Sequence, residues 1–320
     1  MRIVDIHSHF YPADYLRLLS RVVDNDSSVW GRAVQRLLAT RLTVNPRMVD
    51  ISAHLDDMDR AGVEVQALSL SIPHVYFDDQ ADAVEAARIV NDALAELCAR
   101  YPTRFKGLAV LPLPHTEAAL KELDRAIGTL GLHGVTLGGN IKGRPLDDDS
   151  FLPLYRELNR RRLTVHLHPM IPPGQEEMES YGLAPALGYL IDTALGTMRL
   201  AYRGVFEENR DLRLIVPHLG TFLVSAWDRI HSDRPDGTGS IAQPLGVYLQ
   251  RLYYDSVNLH APTWDCALKT IDVSHVVFGS DYPFAAEGST ERGIELVNAL
   301  DITEDQRENI FHGTADALLR

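Results

Sequence analysis

Residues 163–169 read "LTVHLHP". Successive side chains of an extended strand alternate between faces, which puts Val165 and Leu167 on one side and Thr164, His166 and His168 on the other. The apolar side suits a covering layer of helices. The polar side suits the interior of a closed barrel, near the end where chemistry gathers. Residues 275–281, "HVVFGSD", repeat the pattern: Val276 and Phe278 face outward while Val277, Gly279 and Asp281 point inward.

Working outward, eight short runs rich in apolar and β-branched residues can form strands: "IVDIHSH" (3–9), "VEVQALSLS" (63–71), "FKGLAVLPL" (105–113), "HGVTLG" (133–138), "LTVHLH" (163–168), "LRLIVPH" (212–218), "LYYDSV" (252–257) and "HVVFGSD" (275–281). Helical patterns separate them. Residues 82–102 carry Val84, Ala87, Ile89, Val90, Leu94 and Leu97 at helical spacing before a proline, and residues 149–162 open on Asp-Ser and close on arginines. Alternating strands and helices make parallel crossover units, and eight of them in 320 residues predict an α/β fold, a single (β/α)8 TIM barrel domain over residues 1–320. Two connections exceed what a minimal barrel needs, residues 10–47 and 231–246, and are expected as insertions at the C-terminal face.

Composition narrows the function. A net charge of -13 argues against nucleic acid or an anionic membrane surface, which call for clustered Lys and Arg. Cys98 and Cys266 are the only cysteines and both fall in helical stretches, so neither a disulfide framework nor a cysteine zinc site is expected. With no leader pattern before the first strand and no apolar run of eighteen residues, a cytoplasmic location is expected. Dinucleotide and Walker glycine motifs are also missing.

The ends of the strands carry the chemistry. On the first, alternation groups Asp5, His7 and His9 on one face and Ile6 and Ser8 on the other, with two imidazoles about 7 Å apart by strand rise. His168 ends the fifth strand, His218 the sixth and Asp281 the eighth. Any one of these could merely cap a helix or bond a loop carbonyl. Converging from four strands, three imidazoles and a carboxylate suit a zinc-like ion with an open position.

These residues carry a resemblance. H-x-H on the first strand, "HP" after the fifth, His218 and "GSDYPF" (279–284) resemble the amidohydrolase superfamily, in the branch of the muconate-semialdehyde and aromatic-acid decarboxylases. "MDRAGVEVQALS" (58–69), "GVFEENRDLRL" (204–214) and "YYDSVNLH" (253–260) extend it over nearly the whole chain. The resemblance implies His7, His9, His168 and Asp281 as ligands of one divalent metal, usually zinc with manganese possible, and either His218 or Asp281 as the catalytic group that moves the proton. The fourth strand lacks the lysine that bridges two metals in dinuclear relatives, and Lys142 lies beyond it in a loop.

A substrate carboxylate calls for a cation. The resemblance points to Arg41, with Arg47 as its rival, and to Arg234, in a loop that reaches the neighbouring subunit's site in the decarboxylase; it therefore implies a homodimer or higher homo-oligomer. His260, Tyr189 and Phe284 are candidate substrate contacts, with His74, Tyr76, Asp192, Trp30 and Phe10 as weaker ones. "HLGT" (218–221) and "DYPFAAEG" (281–288) carry side chains where relatives have glycine or proline, so the relatives' substrates are not transferred. The expected activity is metal-dependent, non-oxidative decarboxylation of an unsaturated or aromatic carboxylic acid. The alternative is a hydrolase or hydratase on the same scaffold.

Overall fold

The computed structural model describes residues 1–172, 174–230 and 241–320. Eight parallel strands, β1 (Val4–His9), β2 (Val65–Ser69), β3 (Phe105–Ala109), β4 (Gly134–Gly138), β5 (Thr164–His168), β6 (Arg213–Val216), β7 (Tyr253–Asp255) and β8 (Val276–Val277), lie side by side in chain order. A small antiparallel hairpin, Asn140–Ile141 with Arg144–Pro145, follows β4. The sheet closes on itself. Ile6 N–H donates to Phe278 O (2.9 Å), Asp281 N–H to His7 O (2.9 Å) and His9 N–H to Tyr282 O (2.8 Å), so the β8–β1 seam continues past the end of the regular strand. This is the expected (β/α)8 barrel.

The interior is layered. At the N-terminal end of the strands Val4, Ile6, Val65, Ala67, Leu108, Ile215 and Val277 form an apolar cluster, completed by Ala315, Leu318 and Leu319. The C-terminal helix Thr314–Leu318 thus plugs the bottom, and Thr164 Oγ1 donates to Leu318 O (2.6 Å). At the opposite end the buried residues are His7, His9, Ser69, Thr136, His166, His168 and Asp255. An apolar floor with a polar mouth places the chemistry at the C-terminal face.

Simple alternation fails on β1. The strand pairs Asp5 with Gln66 but Ser8 with Leu68, so one residue is inserted between them as a bulge. Ile6 therefore joins the interior cluster beside His7, while Asp5 faces the outer layer and meets Gln66 Nε2 (3.4 Å) and Ser280 Oγ (2.6 Å). The expectation that Asp5 shares a face with His7 and His9 is corrected by this bulge.

The first expected insertion is helical: Ala13–Val23, Val29–Leu37, a wide turn over Leu38–Leu42 and a short turn at Pro46–Met48 precede helix Ile51–Ala61. Ser28 caps the second helix by accepting the Gly31 N–H. Residues 231–240 of the second expected insertion lie outside the described residues. A further long connection, between β5 and helix Tyr189–Tyr202, has no counterpart in the sequence expectations; among its described residues the short turns Gln175–Met178 and Ala184–Gly188 give it regularity. Among the described residues no helix is long and apolar enough to cross a membrane.

Candidate metal centre and substrate cavity

The β8–β1 seam sets the heart of the site. Gly279 sits between β1 and β7, where a Cβ would lie 2.9 Å from His7 Cβ and 3.2 Å from Asp255 Cβ, so no other residue fits without displacing them. Two residues on, Asp281 adopts a left-handed backbone (φ 59°) that turns its carboxylate back over the barrel mouth. Its Oδ1 lies 3.3 Å from His7 Nε2 and 3.1 Å from His9 Nε2. His168 completes a group of four whose ligand atoms all lie within 4.8 Å of one another.

Each imidazole is turned by its other nitrogen. His7 Nδ1 meets Asp255 Oδ2 (2.6 Å), His9 Nδ1 meets Ser69 Oγ (3.0 Å) and His168 Nδ1 meets Pro169 O (2.9 Å). Backing of this kind fixes the ring and turns Nε2 toward the cluster, where His168 Nε2 also has Ser71 Oγ at 3.1 Å. His7 Nε2 is buried without a hydrogen-bond partner. An orphaned imidazole nitrogen beside two others and a carboxylate is a donor set that fits a divalent cation with a position left open.

Electrostatics agree with that fit. Burial, reinforced by neighbouring imidazoles, lowers His9 to about 4 despite Asp281, and holds His168 well below the usual range, so both rings are neutral as ligands must be. Burial also opposes a proton on His7, but Asp255 and Asp281 overcome it and raise that ring to about 10. Asp281 is held well below the carboxylate range; burial works against ionisation and is outweighed by His218, His7 and His9. Two buried carboxylates thus demand a positive charge in this cluster, which a proton or a cation can supply.

His218 stands at the edge, its Nε2 3.9 Å from Asp281 Oδ2. Its backbone is left-handed (φ 57°) and its N–H donates to Asp255 Oδ1 (2.7 Å). Asp255 therefore orients both His7 and His218, and it also meets His166 Nε2 (3.3 Å). The sequence expectations omitted Asp255, although the signal was the same one used elsewhere: a carboxylate as the last residue of a barrel strand.

A cavity of 510 Å³ opens over the cluster, with His168, His218 and Asp281 in its lining. Arg41, Tyr189 and Phe284 line it too, the Phe284 ring standing edge-on to His9 at 5.6 Å. Burial pushes the Tyr189 hydroxyl up to about 12; Asp281 and Asp192 add to this and Arg41 opposes it, so this residue senses both the cluster and the guanidinium.

Arg47 and His260 are not brought to this cavity. Arg47 Nε donates to Asp57 (2.7 Å) on the outside of the barrel, in a smaller cleft where the Tyr282 hydroxyl meets the same carboxylate (2.6 Å). His260 is exposed and bonds Thr263 Oγ1 (3.1 Å) at the start of its own helix. Arg234 lies outside the described residues. His74 stacks on Tyr76 in the interior, Phe10 packs against His54, and Trp30 packs against Phe77 with the Lys142 ammonium 4.5 Å above its ring.

The family model described as amidohydrolase matches residues 4–320. The chain belongs to the amidohydrolase family. This amidohydrolase-family chain is 26% identical over 325 residues to the 2-amino-3-carboxymuconate-6-semialdehyde decarboxylase of Dictyostelium discoideum, covering 98% of this chain and 90% of the relative. It is 30% identical over 298 residues to the gamma-resorcylate decarboxylase of a Rhizobium species, covering 86% and 88%. Among solved structures it matches a dihydroxybenzoic acid decarboxylase from a Polaromonas species, determined with bound manganese and the inhibitor 2-nitroresorcinol. The TM-score is 0.83 at 24% identity, with 99% of this chain and 96% of that one covered. These relatives are carboxy-lyases.

Proposed function

We propose that this protein is a metal-dependent, non-oxidative decarboxylase of an aromatic carboxylic acid, its site carried by a single domain spanning residues 1–320. One observation carries the proposal: the 510 Å³ cavity is lined by His168 and Asp281 of the four-residue cluster, by His218 and by Arg41. His7, His9, His168 and Asp281 would hold one divalent ion. Zinc suits the imidazole donors, and manganese, which the Polaromonas relative carries, is the competing ion. When bound, the cation supplies Lewis acidity toward the substrate's oxygens.

The chain's own residues do the rest. Arg41 binds the substrate carboxylate, and Phe284 and Tyr189 border the ring. As the bond to the carboxyl carbon breaks, carbon dioxide leaves and the electron pair stays on the ring carbon. That carbon takes a proton delivered by the His218–Asp281 pair, so a hydrogen stands where the carboxylate was.

A homodimer belongs to the same proposal. Tyr181, Leu183 and Leu187, on the connection after β5, and Leu195, on the helix that follows, are exposed apolar side chains that support an interface on this side. Sedimentation of a Leu187→Glu variant beside the parent tests it. The unpaired Cys98 and Cys266 support a cytoplasmic location.

The deciding experiment measures metal per chain by elemental analysis, before and after exchange with zinc or manganese, and then carbon dioxide release from a panel of aromatic acids. About one equivalent of metal and release of carbon dioxide is the expected result. About two equivalents, or products that have gained water, would replace the proposal with the hydrolase or hydratase reading.

A further inference from the structure

We infer that the substrate is an aromatic acid with a single carboxylate and an apolar tail; the inference rests on the decarboxylase reading and narrows it. Its basis is the shape and chemistry of the cavity away from the metal cluster. At 510 Å³ the cavity lies within the range of about 300–1,000 Å³ that holds drug-sized ligands, which leaves room beyond one ring.

One wall is a single helical stripe. Ala33, Arg36, Leu37, Thr40 and Arg41 follow one another at helical spacing along Val29–Leu37 and the turn after it, and all line the cavity. From Ala33 to Arg41 the stripe runs about 12 Å. Arg41 shares that lining with His168, His218 and Asp281.

Charge along that path is scarce. Arg36 is answered within the cavity wall by Glu179, at 3.9 Å, whereas Arg41 has no acidic partner among the described residues. The wall therefore offers one uncommitted cation, enough for one carboxylate. The connection after β5 and the start of its helix add Ile171, Met178, Ala184, Pro185 and Leu190 to the lining, with Gln175 and Glu179 as the polar side chains among them. A second carboxylate lying there would find no uncommitted counter-ion, while an alkyl tail would cover apolar wall at a gain.

The test uses 2-hydroxybenzoic acids bearing methyl, propyl or pentyl groups at ring carbon 4 or 6, with carbon dioxide release and calorimetric binding read in parallel on the metal-loaded protein. In at least one series kcat/KM should rise about fourfold per added methylene until the tail fills the cavity. Leu37→Gln and Met178→Gln should each cut the pentyl-to-methyl ratio of kcat/KM by about tenfold, and an ω-carboxylate on the pentyl chain should abolish the gain.

Turnover that is flat or falls with chain length overturns the tail while leaving the decarboxylase reading intact. If none of these acids releases carbon dioxide, the broader acid panel decides the decarboxylase reading, and calorimetry still decides the tail. Affinity that climbs with length supports it, and affinity indifferent to length overturns it.

Discussion

Asp255, at the end of β7, holds Nδ1 of His7, on β1, over 2.6 Å in the fully buried barrel mouth. The same carboxylate fixes the His218 backbone, so one residue orients a candidate ligand and the candidate proton carrier together. Asp255→Asn should weaken metal binding by about 10–100-fold, the usual cost of losing a carboxylate behind a ligating histidine. Competition against a chelator reads this directly. Unchanged affinity would mean that packing alone orients His7.

His218 is placed to act on the proton without being one of the four clustered ligands. His218→Asn should lower kcat by about 10²–10⁴-fold while metal per chain stays at the parental value. Loss of metal along with activity would make His218 a ligand or a support.

Gly279 is required by space. In Gly279→Ala the added methyl meets His7 and Asp255 side chains at 2.9 and 3.2 Å, and the overpacking should cost about 1–3 kcal/mol. Urea denaturation gives the stability and elemental analysis gives the metal. Both should fall, because the atoms pushed apart belong to the pair that orients His7.

Asp192 gives a pH dependence of defined sign. It is buried on the helix after β5, accepting from Asn140 Nδ2 and the Met170 N–H (2.8 Å each), and burial raises it to about 7 in spite of those bonds. A carboxyl raised above its unfolded value of 3.8 holds its proton more tightly in the folded state. Its stabilising contribution is complete below pH 3.8 and is lost as pH rises through about 7, on the order of 4 kcal/mol in all. Asp192→Asn removes that loss. Measured by urea denaturation from pH 5 to 8, the stability difference should move in the variant's favour as pH rises, whereas a pH-independent difference would mean that Asp192 ionises normally. Asp5, raised to about 6 by burial, contributes in the same direction to both proteins and cancels from the comparison.

Much of the barrel was legible because strands and helices have different periods. "LTVHLHP" needed only alternation to assign Val165 and Leu167 to the helix layer and His166 and His168 to the interior, and His168 at the strand's end marked the mouth. The same logic applied to "LYYDSV" would have found Asp255. On β1 alternation misled, because the bulge between Asp5 and Ser8 leaves no mark in composition or hydrophobicity. Sequence points to Arg41 but leaves Arg47 as its rival; Asp57, ten residues beyond Arg47, occupies that guanidinium, and only the folded chain brings the two together outside the cavity.

By itself the sequence determined the eight-stranded order and which residue types end the strands, since both follow from local side-chain alternation and the spacing of apolar residues. Tertiary structure decided which of those ends meet. Closure of β8 against β1 sets Asp281 beside His7 and His9, and the carboxylate of Asp255 reaches His7 across 248 positions of chain. Two turns after β5, silent in the sequence pattern, line the cavity together with the 29–42 helical stripe. The physical reason is range: periodicity reports the face a side chain occupies over a few residues, whereas ligand geometry, burial and charge balance depend on atoms that come together only when the barrel closes.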